Sequence, residues 1–101
     1  MAGERMASEA PLPGGNFRLF TTRLSFQTMI SLGLLENPIT RSRRVDLDSA
    51  RMLIEDLRML VEKTRGNLDA DEEAQLEKSV HDLEHAYERV RGEPAGEPDE
   101  L

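Results

Sequence analysis

The chain of 101 residues is 38% hydrophobic and 33% charged with a net charge of -7, and that length holds one domain at most, because an independent core needs roughly 100 to 150 residues. It has no cysteine, which excludes disulfides, thiolate metal sites and cysteine nucleophiles and makes a reducing, cytoplasmic setting the natural expectation. The longest uncharged stretch, residues 24–35, contains Ser, Gln, Thr and Gly and falls well short of the ~20 apolar residues of a membrane span, so no membrane contact is expected.

The charge is uneven along the chain. Residues 1–15 are nearly neutral, with Arg5 against Glu4 and Glu9, and residues 16–44 are basic, with five Arg against Glu36. Residues 45–101 are strongly acidic, with seven Lys and Arg against seventeen Asp and Glu. The aromatics are Phe17, Phe20, Phe26 and Tyr87, so three of the four fall in the basic part.

Residues 1–15 end in Pro11-Leu12-Pro13-Gly14-Gly15, which cannot continue a helix and offers little to bury, so a disordered arm is expected there. They contain no apolar run of the kind a signal peptide needs. A first helix is predicted over about residues 17–35, capped by Asn16 and ended by Gly33 and Asn37-Pro38. Its apolar residues fall on two lines at helical spacing. Leu19, Phe26, Ile30 and Leu34 form one and Phe17, Phe20 and Leu24 the other, with Arg18, Thr22 and Ser25 marking a polar side. Such a helix can touch two neighbours.

The connection that follows carries Arg41-Ser42-Arg43-Arg44 and reads as a loop. Asp46 is the next N-cap, with Val45 placed as a hydrophobic staple. A second helix is predicted over about residues 47–65. Its positions Ala50, Leu53, Leu57, Leu60 and Thr64 alternate three and four apart, and Ile54 and Val61 widen the seam. Gly66 supplies a left-handed residue after the cationic turn of Lys63 and Arg65. Asp69 with Glu72 makes the capping-box pattern for a third helix over about residues 70–91, whose seam is Leu76, Val80, Leu83, Tyr87 and Val90. So short a link between two heptad-patterned helices turns the chain back on itself. The expected architecture is all-α: an apolar N-terminal helix packed on an antiparallel αα-hairpin within residues 16–91, followed by a disordered acidic tail over 92–101. Homo-oligomerisation is expected to complete the core by covering the second stripe of the first helix, with Leu19, Phe26, Ile30 and Leu34 as the contact.

The stretches Ser31-Leu32-Gly33-Leu34-Leu35-Glu36-Asn37-Pro38, Val45-Asp46-Leu47 and Glu62-Lys63-Thr64-Arg65-Gly66-Asn67-Leu68 together resemble a bacterial family known as domain of unknown function family 1844, over residues 17–90. The resemblance implies a small bacterial cytoplasmic protein with no assigned activity, and it carries no catalytic residues over to this chain. The chain departs from the family's pattern at Arg41, Arg43 and Arg44, where an acidic or neutral turn is usual. Its histidines are not expected as a family trait either.

Three constellations bear on chemistry. His81-Asp82-Leu83-Glu84-His85 matches H-x-x-E-H, in which two histidines one turn apart bind zinc and the glutamate activates water. Its two histidines are the chain's only ones, they fall outside the Val80 and Leu83 seam, and a catalytic zinc needs a third ligand and a sheltered pocket. A solvated charged face without catalysis or an assigned metal is therefore the expectation, and His81 and His85, with Glu77 or Glu88, are only a weak candidate for adventitious surface metal. Arg41, Arg43 and Arg44 could contact an anion or RNA, but the acidic remainder repels a polyanion and no aromatic interleaves them, so pairing with acids of the hairpin or of a neighbouring subunit is favoured. The corner Thr64-Arg65-Gly66-Asn67 is accounted for by capping. Met29, Met52 and Met59 read as core or contact residues. No cofactor and no small-molecule substrate is expected. The chain reads as a non-enzymatic module that binds itself and an unidentified protein, with a nucleic-acid or ribosome-associated accessory as the alternative.

Overall fold

The computed structural model of the chain describes residues 14–93. The expected N-terminal arm and acidic tail lie almost wholly outside them. Three helices make up 68% of the described residues and no strand occurs among them, so the fold is all-α. They are α1 (Phe17–Ser31), α2 (Leu47–Lys63) and α3 (Ala70–Arg91), and each packs on both of the others.

Every helix starts on a side-chain cap that satisfies an otherwise orphaned N–H. The Asn16 side chain accepts from the Leu19 N–H, and that of Asp46 from the Ser49 N–H. At α3 the box is reciprocal: Asp69 accepts from the Glu72 N–H at 2.8 Å and the Glu72 carboxylate accepts from the Asp69 N–H at 3.1 Å. Acids at Asp71, Glu72 and Glu73 and cations at Arg89 and Arg91 match the dipole of α3 at its two ends.

The first helix ends at Ser31, four residues before the expected limit. The reason is a Schellman motif: Gly33 takes φ +77, its N–H donates to the Ile30 carbonyl at 3.0 Å, and the Leu34 N–H donates to that of Met29 at 2.9 Å. A Cβ on Gly33 would also lie 2.8 Å from Val45 Cγ2, because the chain returns beside it. There Leu32 and Val45 form a single antiparallel bridge, and the Asp46 N–H donates to the Ser31 carbonyl at 2.7 Å. The second helix stops at Lys63, two residues early. Thr64 turns its hydroxyl back to the Leu60 carbonyl, and the Asn67 N–H closes a turn on the Thr64 carbonyl at 2.8 Å with Gly66 at φ +86. Nothing crowds Gly66, so the turn's left-handed backbone alone calls for glycine there.

The main core joins Ile54 and Leu57 of α2 to Leu76, Val80 and Leu83 of α3, with Phe17, Leu24 and Met29 of α1 packed against it. A second cluster, Leu32, Ala50 and Val90, closes the other end, and half-buried Tyr87 touches both. Since α2 runs from Ala50 beside Val90 to Val61 beside Leu76, the two helices pass in opposite directions. The Arg58–Glu84 pair bridges them on the outside.

Candidate functional site

The side of α1 that meets the hairpin is not its most apolar one. Its fully buried residues are Thr21 and Thr28, at 3% and 0% exposure. Both are buried without loss because each hydroxyl donates within its own helix, Thr28 to the Leu24 carbonyl at 2.8 Å and Thr21 to those of Phe17 and Arg18 at 3.2 Å. Ser25, expected on the polar side, also has a buried hydroxyl oxygen. Phe17, Leu24 and Met29 flank these residues and complete the contact. Beyond them, the Arg18 guanidinium donates to Gln75 of α3 at 2.7 Å.

At ~100° per residue, Leu19, Phe26 and Ile30 then lie on the far side of α1 from Thr21 and Thr28. Phe26 is 55% exposed and Phe20 40%, while Leu19 and Ile30 are half-buried. Leu34 leaves this line. With the helix ended at Ser31, it packs instead on the cluster of Leu32, Ala50 and Val90. The outward patch therefore consists of Leu19, Phe20, Phe26 and Ile30, with exposed Arg23 among them.

The arginine loop folds on itself. The Asn37 side chain accepts from the N–H groups of Ile39 and Thr40, its own N–H donates to the Ser42 carbonyl at 2.9 Å, and Arg41 adopts φ 63 with its N–H on the Asn37 carbonyl at 2.7 Å. Arg41, Arg43 and Arg44 are all exposed. Among the described residues none of the three forms an ion pair, so the expected pairing with hairpin acids is not made. Closing the loop's backbone bonds internally directs these side chains to solvent. An open cavity of about 590 Å³ lies between this loop and the start of α2. It mixes Arg44 with Asp46 and Asp48, among hydroxyls of Thr40 and Ser42, and so favours neither sign of charge. The Asp46 carboxyl is held below its usual value, first by the Ser49 N–H, then by the Ser49 hydroxyl, with Arg44 adding a smaller attraction.

Also exposed are Ile39, at 88%, Val45, Met52 and Met59. The sequence signalled Ile39 only as an apolar residue stranded in a polar loop. His81 and His85 are exposed, with ring centroids 5.6 Å apart. Among the described residues no group of three or more His, Asp or Glu is placed to hold a metal ion. The glutamate of the H-x-x-E-H pattern, Glu84, receives Arg58 of α2. Asp82 receives Lys78 at 2.7 Å, and that hydrogen bond is the main reason its carboxyl is held low. No described helix is long and apolar enough to cross a membrane.

A family model described as "Domain of unknown function (DUF1844)" matches residues 15–89. That span takes in α1, the arginine loop, α2 and nearly all of α3. No match is found among curated proteins or among solved structures.

Proposed function

The chain belongs to the DUF1844 family, and on that premise we propose that it is a non-enzymatic interaction module of the cytoplasm that associates with a second copy of itself through the outward face of α1. One observation carries the reading: α1 turns Thr21 and Thr28 inward and leaves Phe26 and Phe20 outward. A helix that met only its own hairpin would bury its phenylalanines and expose its threonines, since burying a phenylalanine is worth about 1.5–3 kcal/mol. A two-fold pairing of α1 helices would cover Leu19, Phe26 and Ile30 with the same residues of the second copy. Leu34, part of the expected contact, is left to the protein's own core.

Sedimentation at tens of micromolar tests this. A mass of two chains or more, reduced to one chain by Phe26→Asp with helical content unchanged, is the expected outcome. A strictly monomeric unmodified chain sinks the reading.

A second reading, a nucleic-acid or ribosome-associated accessory, is favoured by the exposure of Arg41, Arg43 and Arg44 without ion pairs among the described residues. Three phosphate contacts give a salt slope of about -2 to -3 in a double-logarithmic plot of affinity. RNA binding that follows this slope and disappears when the three arginines become serine supports it, and absence of binding at low salt ends it.

A further inference from the structure

We propose that His81 and His85 form a two-imidazole chelate on the outer surface of α3 for a late first-row divalent cation, with copper(II) the tightest binder. The two residues are one helical turn apart, so both rings stand on the same face. Their centroids lie 5.6 Å apart at 51°. Ring nitrogens that bind at ~2.0–2.1 Å can converge on one ion from such positions by side-chain rotation alone. The backbone beneath is fixed, because α3 continues for a turn and a half past His85 to Arg91 and its inner face is anchored by Leu83 and Val90.

The surrounding carboxylates decide which ions fit. Asp82 is engaged by Lys78, Glu84 by Arg58 and Glu88 by Arg91. Glu77, one turn before His81 and beside it on the surface, has no such partner among the described residues, yet it is not placed with the two histidines to make a set of three, so the donors that stand together are the two imidazole nitrogens. Imidazole nitrogen suits copper, nickel and zinc, whereas magnesium and calcium demand oxygen. Because no third His, Asp or Glu joins the pair among the described residues, the other coordination positions go to water or to donors from another molecule. Such an open site is suited to exchange of the ion, not to its permanent retention.

The test is calorimetric titration of the untagged chain with copper(II), nickel(II), zinc(II) and magnesium(II) in turn. The expected result is one ion per chain for copper, weaker binding of nickel and zinc in keeping with the usual order of divalent affinities, and none for magnesium. His81→Gln and His85→Gln, each checked for unchanged helical content, should each weaken copper binding roughly tenfold or more, since each removes one of two protein ligands. Copper should also raise the thermal midpoint of the unmodified chain and not that of either variant. Copper affinity unaltered by both substitutions overturns the proposal by placing the ion elsewhere, at the chain's amino group for instance. Absence of any copper binding, or equal binding of magnesium, overturns it as well.

Discussion

Leu57, near the middle of α2, and Thr28, in the last turn of α1, are both fully buried, yet they stand for two different ways of using a sequence. The hairpin, α2 and α3, places Leu53, Ile54, Leu57, Leu76, Val80 and Leu83 inside and pairs charge with charge on its own surface, as in Arg58–Glu84, Arg65–Glu62 and Lys78–Asp82. The α1 region, with its arginine loop, does the reverse. It turns Thr21 and Thr28 in, Phe20 and Phe26 out, and leaves Arg23, Arg41, Arg43 and Arg44 without ion pairs among the described residues. A segment whose apolar and charged groups are already satisfied internally has little left for a partner. Four of the six exposed large hydrophobic side chains among the described residues, Phe20, Phe26, Ile39 and Val45, lie on α1 and the loop after it, and that is where a protein partner is to be sought.

The largest test of this contrast is Leu57→Ala. Its side chain fills the centre of the main core, and its truncation should cost about 2–5 kcal/mol in urea unfolding. Thr28→Ala, at an equally buried site of α1, should cost no more than ~1.5 kcal/mol, because the lost hydroxyl served only its own helix and alanine favours the helical state. Equal costs for the two would break the contrast.

Two glycines sharpen it at the junctions. Gly33→Ala meets both a left-handed backbone and the Val45 side chain, and should cost about 2–3 kcal/mol. Gly66→Ala meets the backbone alone and should cost ~1 kcal/mol. Adding Val45→Ala to Gly33→Ala should recover the steric part and leave the rest, a difference measurable in the same unfolding experiment.

The smallest expected effect is on acid unfolding. Asp46 has a lowered carboxyl pKa in the folded chain. Its stabilising contribution is therefore complete above the unfolded value near 3.8 and is lost as pH falls through the folded one. Asp46→Asn keeps a capping oxygen but does not titrate. Its thermal midpoint should consequently fall less steeply below about pH 4 than that of the unmodified chain. Identical acid limbs in the two chains would show that the cap at the start of α2 contributes nothing through its charge.

Much of the hairpin was legible because its signals are local and agree with one another. The seams through Ala50, Leu53 and Leu57 and through Leu76, Val80 and Leu83 repeat at helical spacing, and Asp46, Asp69 and Glu72 announce the helix starts. The first helix was legible as a helix but not in its end or its orientation. Gly33 marks a stop, yet which residue forms the cap depends on bonds from Gly33 and Leu34 back to Ile30 and Met29, which spacing does not reveal. The internal charge pairing of Arg58 with Glu84, and its absence at the arginine loop, likewise depends on which surfaces face one another.

By itself, then, the sequence determined the all-α class, the three helices, the capping residues at their N-termini and the family resemblance that the family model bears out. These follow from interactions within a few residues of the chain. Only the tertiary structure decided which way α1 faces. Hydropathy ranks phenylalanine above threonine for burial, but a threonine whose hydroxyl bonds its own helix is small and satisfied, and so can be buried. Which side of α1 meets the hairpin, and so whether Phe26 faces outward, is a relation between elements that no single helix encodes.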